Sequence, residues 1–147
     1  MIVAAATAIT LGVHLASWHA PSTYERTHVT AVDVHTRQPI AWATTTYRYH
    51  TATPGLYVRL PNGLTAGAYS NSYGNPSAYA GWTWETPDRR FALTVGAVSG
   101  YAQGRLRPLV APSMRLGLAP HTALRIAGAP KFRGGAAVLH LALEFDL

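Results

Sequence analysis

Val138-Leu139-His140-Leu141-Ala142-Leu143-Glu144-Phe145, near the end of a 147-residue chain, carries the pattern that decides the fold. Leu139, Leu141, Leu143 and Phe145 fall on one side of an extended backbone, and Val138, His140, Ala142 and Glu144 on the other. Only a strand, whose side chains alternate with period two, divides the residues this way. Near the other end, Ile9, Leu11, Val13 and Leu15 alternate with Thr10, Gly12, His14 and Ala16. Two terminal strands, each apolar on one face, invite pairing, and pairing them would close the sheet and remove its edges.

Working inward, turn signals separate further alternating runs. Leu56 to Leu60 is followed by Pro61-Asn62-Gly63, a strong hairpin signal, and Leu64 to Ser72 returns. Tyr73 to Pro76 and then Thr86-Pro87-Asp88 bracket a strand over Ser77 to Glu85. Phe91 to Tyr101, Leu109 to Leu118, Thr122 to Gly128 and Ala136 to Phe145 complete about eight strands. The expected fold is therefore all-β: a small antiparallel up-and-down barrel, or a barrel-like sandwich, forming one domain over residues 1–147. Pro21 to His50 shows no persistent face and reads as a long excursion with one irregular strand. Ala4 to Ala8 is the one plausible helical start. Met1 to Trp18 is apolar and uncharged but lacks a basic lead and a small-residue cleavage pattern, so it reads as a first strand and not a leader.

Composition narrows the chemistry. Cysteine is absent, which excludes disulfides, thiolate metal sites and cysteine nucleophiles. Charged residues make up 12%, about half the usual share, so the surface either faces lipid, another subunit or a packed assembly, or is that of an Ala- and Gly-rich soluble domain whose polar needs are met by Thr, Ser, Tyr and Asn. Without a recognisable export signal, an autonomous outer-membrane protein is not the expected form. The net charge is +6, with basic residues paired at expected strand ends as Arg89 and Arg90, Arg105 and Arg107, and Lys131 and Arg133. They suit an anionic lipid headgroup as a partner; nucleic acid is disfavoured because no run is dense enough to form a groove. Seven scattered histidines show no metal-ligand spacing, and no metal or cofactor is expected.

The run from Gly67 to Trp84 is the candidate binding region. If Tyr73 to Pro76 closes a regular hairpin, Ser72 lies opposite Ser77, Ser70 opposite Tyr79 and Gly67 opposite Trp82. A row of hydroxyls from Ser70, Ser72, Ser77, Tyr79 and Thr83 then shares one face, with Tyr69, Asn71, Trp82 and Trp84 on the other. Buried hydroxyls need partners, so the row forms an internal network or lines a wet pocket. Tyr69, Asn71, Ser70, Ser72, Ser77, Tyr79 and Trp82 are the candidate binding residues.

In this hairpin, in Gly55-Leu56-Tyr57-Val58 and more loosely in His14-Leu15-Ala16-Ser17, the chain resembles small, largely uncharacterised β-barrel proteins encoded by bacteriophages and prophages of Gram-negative bacteria. That resemblance implies a non-catalytic role in binding or assembly, in the virion or the bacterial envelope, with virion or envelope proteins as partners and oligomerisation open. A more distant resemblance is to outer-membrane lipid A deacylase-type barrels, which cleave acyl esters with a serine, a histidine and an acid. On that alternative the catalytic candidates are His14, Ser17, His140 and Glu144, although Ser17, three residues after His14, is expected on the opposite face. Which face of the barrel is inside is left open by alternation alone.

Overall fold

The computed structural model describes residues 8–101, 105–130 and 136–147. Ten strands form: β1 (Thr10–Ala20), β2 (Thr23–Val32), β3 (Pro39–Arg48), β4 (Ala52–Arg59), β5 (Leu64–Ser70), β6 (Pro76–Glu85), β7 (Phe91–Val98), β8 (Arg107–Ala119), β9 (Thr122–Ala129) and β10 (Ala137–Asp146). Eight of them close into an antiparallel barrel in the order β1-β10-β9-β8-β7-β6-β5-β4. Closure is made by the two terminal strands, which pair from Thr10 opposite Asp146 to Ala20 opposite Ala137. The helical start over Ala4 to Ala8 lies outside the described residues except for Ala8.

Both described chain ends and the tight turns at Pro61–Gly63, Thr86–Arg90 and Pro120–His121 gather at one rim. The other rim carries the longer connections after β1, β5, β7 and β9. The excursion is not an irregular strand: β2 and β3 form a separate two-stranded ribbon, paired from Thr23 opposite Arg48 to Val32 opposite Pro39. Both its faces are largely solvent-exposed, so nothing imposed a one-sided pattern on its sequence. At its tip the Asp33 carboxylate accepts the backbone N–H groups of His35 and Thr36, and these bonds hold its pKa below the usual carboxylate range.

The barrel is polar inside and apolar outside. Leu139, Leu141, Leu143 and Phe145 point outward, and His140 and Glu144 point into the lumen, as the alternating burial along the strand requires. On the other strands the outward positions hold Leu15, Trp18, Leu56, Val58, Leu64, Trp82, Trp84, Phe91, Leu93, Val95, Val110, Met114, Leu116 and Leu118. No outward-facing position within these eight strands carries a charged side chain. Large apolar side chains are thus exposed on the outer face of all the barrel strands that carry them, whereas soluble monomers rarely expose contiguous apolar patches larger than about a few hundred Å².

Inside, at the rim of the tight turns, ions fill the lumen. Glu144 is fully buried; its Oε1 accepts the Tyr57 hydroxyl at 2.5 Å, Arg125 Nε at 2.5 Å and Arg59 Nη1 at 3.0 Å, and its Oε2 accepts Arg115 Nε at 3.1 Å. Glu85 pairs with Arg125 and Arg59 at 2.6 and 3.2 Å, and Asp146 with Arg115 and Arg89 at 2.6 and 2.8 Å. Four guanidinium groups thus share three carboxylates, and the network plugs this end of the barrel. Arg89 reaches in from its turn, while its neighbour Arg90 stays outside beside Asp88. Glycine makes the packing possible: a Cβ on Gly12 would fall 1.9 Å from the Tyr57 ring.

Candidate functional site

Above the plug, a cavity of about 510 Å³ runs to the rim of the longer connections. One side is polar, lined by His14, Ser17 and His140 with Tyr57, Tyr69 and Tyr79; the other is aliphatic, lined by Val98, Leu109, Ala111, Ala127, Ala129 and Val138. At the rim, His19 stacks on Tyr49 with centroids 4.1 Å apart, and Tyr73 lies edge-on to Tyr49 and Tyr101. Burial pushes the hydroxyls of Tyr49 and Tyr101 up from their ordinary pKa, so both remain neutral donors.

Ser17 and His14 were expected on opposite faces. A β-bulge corrects this: β1 pairs with β10 at His14 opposite Ala142 and resumes at Ala16 opposite Leu141, leaving Leu15 without a partner. The extra residue shifts the alternation by one and turns Ser17 into the lumen beside His14. The result is a hydrogen-bonded chain. Ser17 Oγ lies 2.6 Å from His140 Nδ1, His140 Nε2 lies 2.7 Å from His14 Nδ1, and His14 Nε2 lies 3.1 Å from the Tyr79 hydroxyl. Thr53, fully buried, shares a 3.1 Å hydrogen bond with Ser17 Oγ.

Glu144 takes no part in this chain. Its two oxygens are committed to Tyr57 and three arginines, and the Tyr57 ring in turn packs 5.0 Å from His14. The group hydrogen-bonded to His140 on the side away from Ser17 is therefore the His14 imidazole and not a carboxylate.

The hairpin residues divide differently from the expected register. β5 and β6 pair with Ser70 opposite Pro76, Tyr69 opposite Ser77 and Gly67 opposite Tyr79. This offset is odd relative to the expected one, so each face exchanges its partners. The cause is Asn71, whose Oδ1 accepts the N–H groups of Tyr73 and Asn75 and whose Nδ2 donates to Ser77 Oγ and Gly100 O. It folds residues 71–75 into a tight loop in which Gly74 takes a positive φ of 80°. Tyr69, Tyr79 and Ser72 line the cavity, and Asn71 and Ser77 brace its rim. Ser70 is half-buried at the strand end. Trp82 does not cover Gly67; it lies opposite Leu64 on the outer face near the other rim, where its Nε1 donates to Asn62 O.

Sequence reasoning missed Thr53, Tyr57, His19 and Tyr101. Each is a single polar residue on an otherwise ordinary strand or loop, and only closure of the barrel brings it to the site. Among the described residues no group of three or more histidines, cysteines, aspartates or glutamates is arranged to hold a metal ion. Of the paired basic residues, Arg105 and Arg107 are exposed, Arg107 at the cavity, and Lys131 and Arg133 lie outside the described residues. No known family model and no curated protein sequence matches this chain.

Proposed function

We propose that this chain is a β-barrel of the bacterial outer envelope whose lumen holds an acyl-ester hydrolase site, with Ser17 as nucleophile and His140 as its base. The Ser17–His140–His14 chain beside an aliphatic wall carries the reading. The apolar belt supplies the setting. An outward face without charge, a charged and plugged interior, tight turns with both described ends at one rim and longer connections at the other are the features of small membrane barrels.

The chemistry follows from the distances. In the tautomer that leaves His140 Nδ1 free to accept, Nε2–H donates to His14 Nδ1, and His14 Nε2–H donates to Tyr79, which fixes both rings. Ser17 Oγ attacks the ester carbonyl and its proton passes to His140 Nδ1 at hydrogen-bond distance. Collapse breaks the ester C–O bond; the departing alkoxide takes that proton and the acyl group stays on Ser17. Water, deprotonated by the same imidazole, then releases the fatty acid and restores the serine. The Thr53 hydroxyl, 3.1 Å from Ser17 Oγ, is placed to donate to the developing oxyanion.

The test is release of fatty acid from phospholipid vesicles containing the reconstituted chain. Ser17→Ala should abolish release, and His140→Ala should lower it by about 10²–10⁴-fold, the span of a general base. Equal release by the wild type and both variants would refute the site. A second reading, binding or assembly with another envelope or virion protein, is favoured by Val34, Ile40 and Trp42, exposed on the projecting β2–β3 ribbon. An intact barrel that releases no fatty acid would leave that reading as the better account.

A further inference from the structure

Among the described residues, the ladder between β8 and β9 stops short beside the site. β8 pairs with β7 along its whole upper half, from Arg107 opposite Val98 to Pro112 opposite Leu93. Its pairing with β9 begins only at Ser113 opposite Ala127, and among the described residues Arg107–Pro112 have no partner on β9. β9 itself ends at Ala129, held by Val138 of β10. The sequence explains the interruption, since Pro108 and Pro112 have no N–H to close a rung and proline is confined to strand edges.

The cavity borders this gap. Its lining includes not only the lumenal Leu109, Ala111 and Ala127 but also Pro108, Val110 and Gly128, which belong to the outer face of the same strands. Among the described residues, a Cβ placed on Gly128 would have its nearest neighbour, Val138 O, 4.0 Å away. The surface is apolar on the way in, from Met114, Val110 and Leu139 outside to Ala111, Ala127 and Leu109 inside. The gap also leads directly to the nucleophile's base, because Ala127 lies opposite His140 across the β9–β10 ladder.

We propose that the gap between β8 and β9 is a lateral portal through which the acyl chain of a bilayer phospholipid passes from the membrane into the lumen and reaches Ser17. The inference rests on the membrane reading above and names the substrate class and its route. A polar headgroup would have to cross the plug or the aromatic rim to reach the site from either end, whereas through the wall the side chains of Val110, Ala111 and Ala127 that an acyl chain would pass are apolar.

The experiment uses the full chain in phosphatidylethanolamine and phosphatidylglycerol vesicles containing a phosphatidylethanolamine with a diazirine at the end of one acyl chain. After irradiation, labelled peptides are mapped by mass spectrometry. Labels are expected on the belt residues Leu56 and Leu93 and also on the lumenal Leu109, Ala111 and Ala127. Gly128→Phe, whose Cβ meets nothing nearer than Val138 O at 4.0 Å among the described residues, puts a ring on the outer face beside the gap and should reduce the lumenal labels and keep the belt labels. Ser17→Ala should keep both, so failure of the catalytic reading leaves the portal standing. Belt labels without lumenal labels in the wild type overturn the portal alone; absence of belt labels overturns the portal and the membrane reading together.

Discussion

Replacing Glu144 with glutamine removes one charge from the centre of the plug and leaves its shape nearly unchanged. The carboxylate accepts from Arg59, Arg115, Arg125 and Tyr57 and has no solvent exposure. In the variant, four guanidinium groups face only Glu85 and Asp146, and the glutamine NH₂ turns a donor toward at least one other donor. Leaving a buried charge without its partner costs about 3–5 kcal/mol. Against a typical total of about 5–15 kcal/mol, a loss of that size would bring the barrel near its unfolding threshold. Urea unfolding of the vesicle-reconstituted chain, followed by tryptophan emission, measures it. The double variant Glu144→Gln with Arg125→Met restores a single excess guanidinium, as in the native plug, and should recover part of the loss. A single-variant cost under about 1 kcal/mol would refute the plug as a structural element, since only exposed pairs are worth so little.

Other outcomes follow from the same geometry. Leu56→Arg places a charge at mid-belt, where Leu56 is 58% exposed; a membrane barrel should lose about 2–4 kcal/mol in vesicles, and a soluble one almost nothing, by urea titration. Gly12→Ala drives a methyl into the Tyr57 ring and should cost about 1–3 kcal/mol, visible as a lowered unfolding midpoint. Asn71→Ala orphans the N–H groups of Tyr73 and Asn75, with an expected loss of about 1–3 kcal/mol and faster hydrogen exchange confined to residues 71–75.

The barrel was legible because its two closing strands each bury one face, and a one-sided pattern survives in the sequence as strict alternation. Inside and outside were not, since period two reads the same in both directions; only closure shows that Leu139 to Phe145 face outward. The β2–β3 ribbon left no pattern because neither face is covered. At the site, His14, Ser17 and His140 were recognisable as chemistry-bearing residues, but one unpaired residue, Leu15, decides that they meet. Nothing in the local sequence distinguishes that bulge from regular strand. The β5–β6 register likewise depended on the side chain of Asn71, which draws residues 71–75 into the loop, and not on the turn residues counted along the chain. Glu144 looked like a catalytic acid because the arginines that hold it come from three other strands.

The most direct test of a lumenal serine nucleophile is covalent capture. A fluorophosphonate with an alkyl tail, applied to the chain in phospholipid vesicles, should form one adduct, mapped by mass spectrometry to Ser17. The adduct should disappear in His140→Ala, whose imidazole no longer takes the Ser17 proton. No adduct on Ser17, or an adduct whose rate is the same without His140, would contradict the assignment.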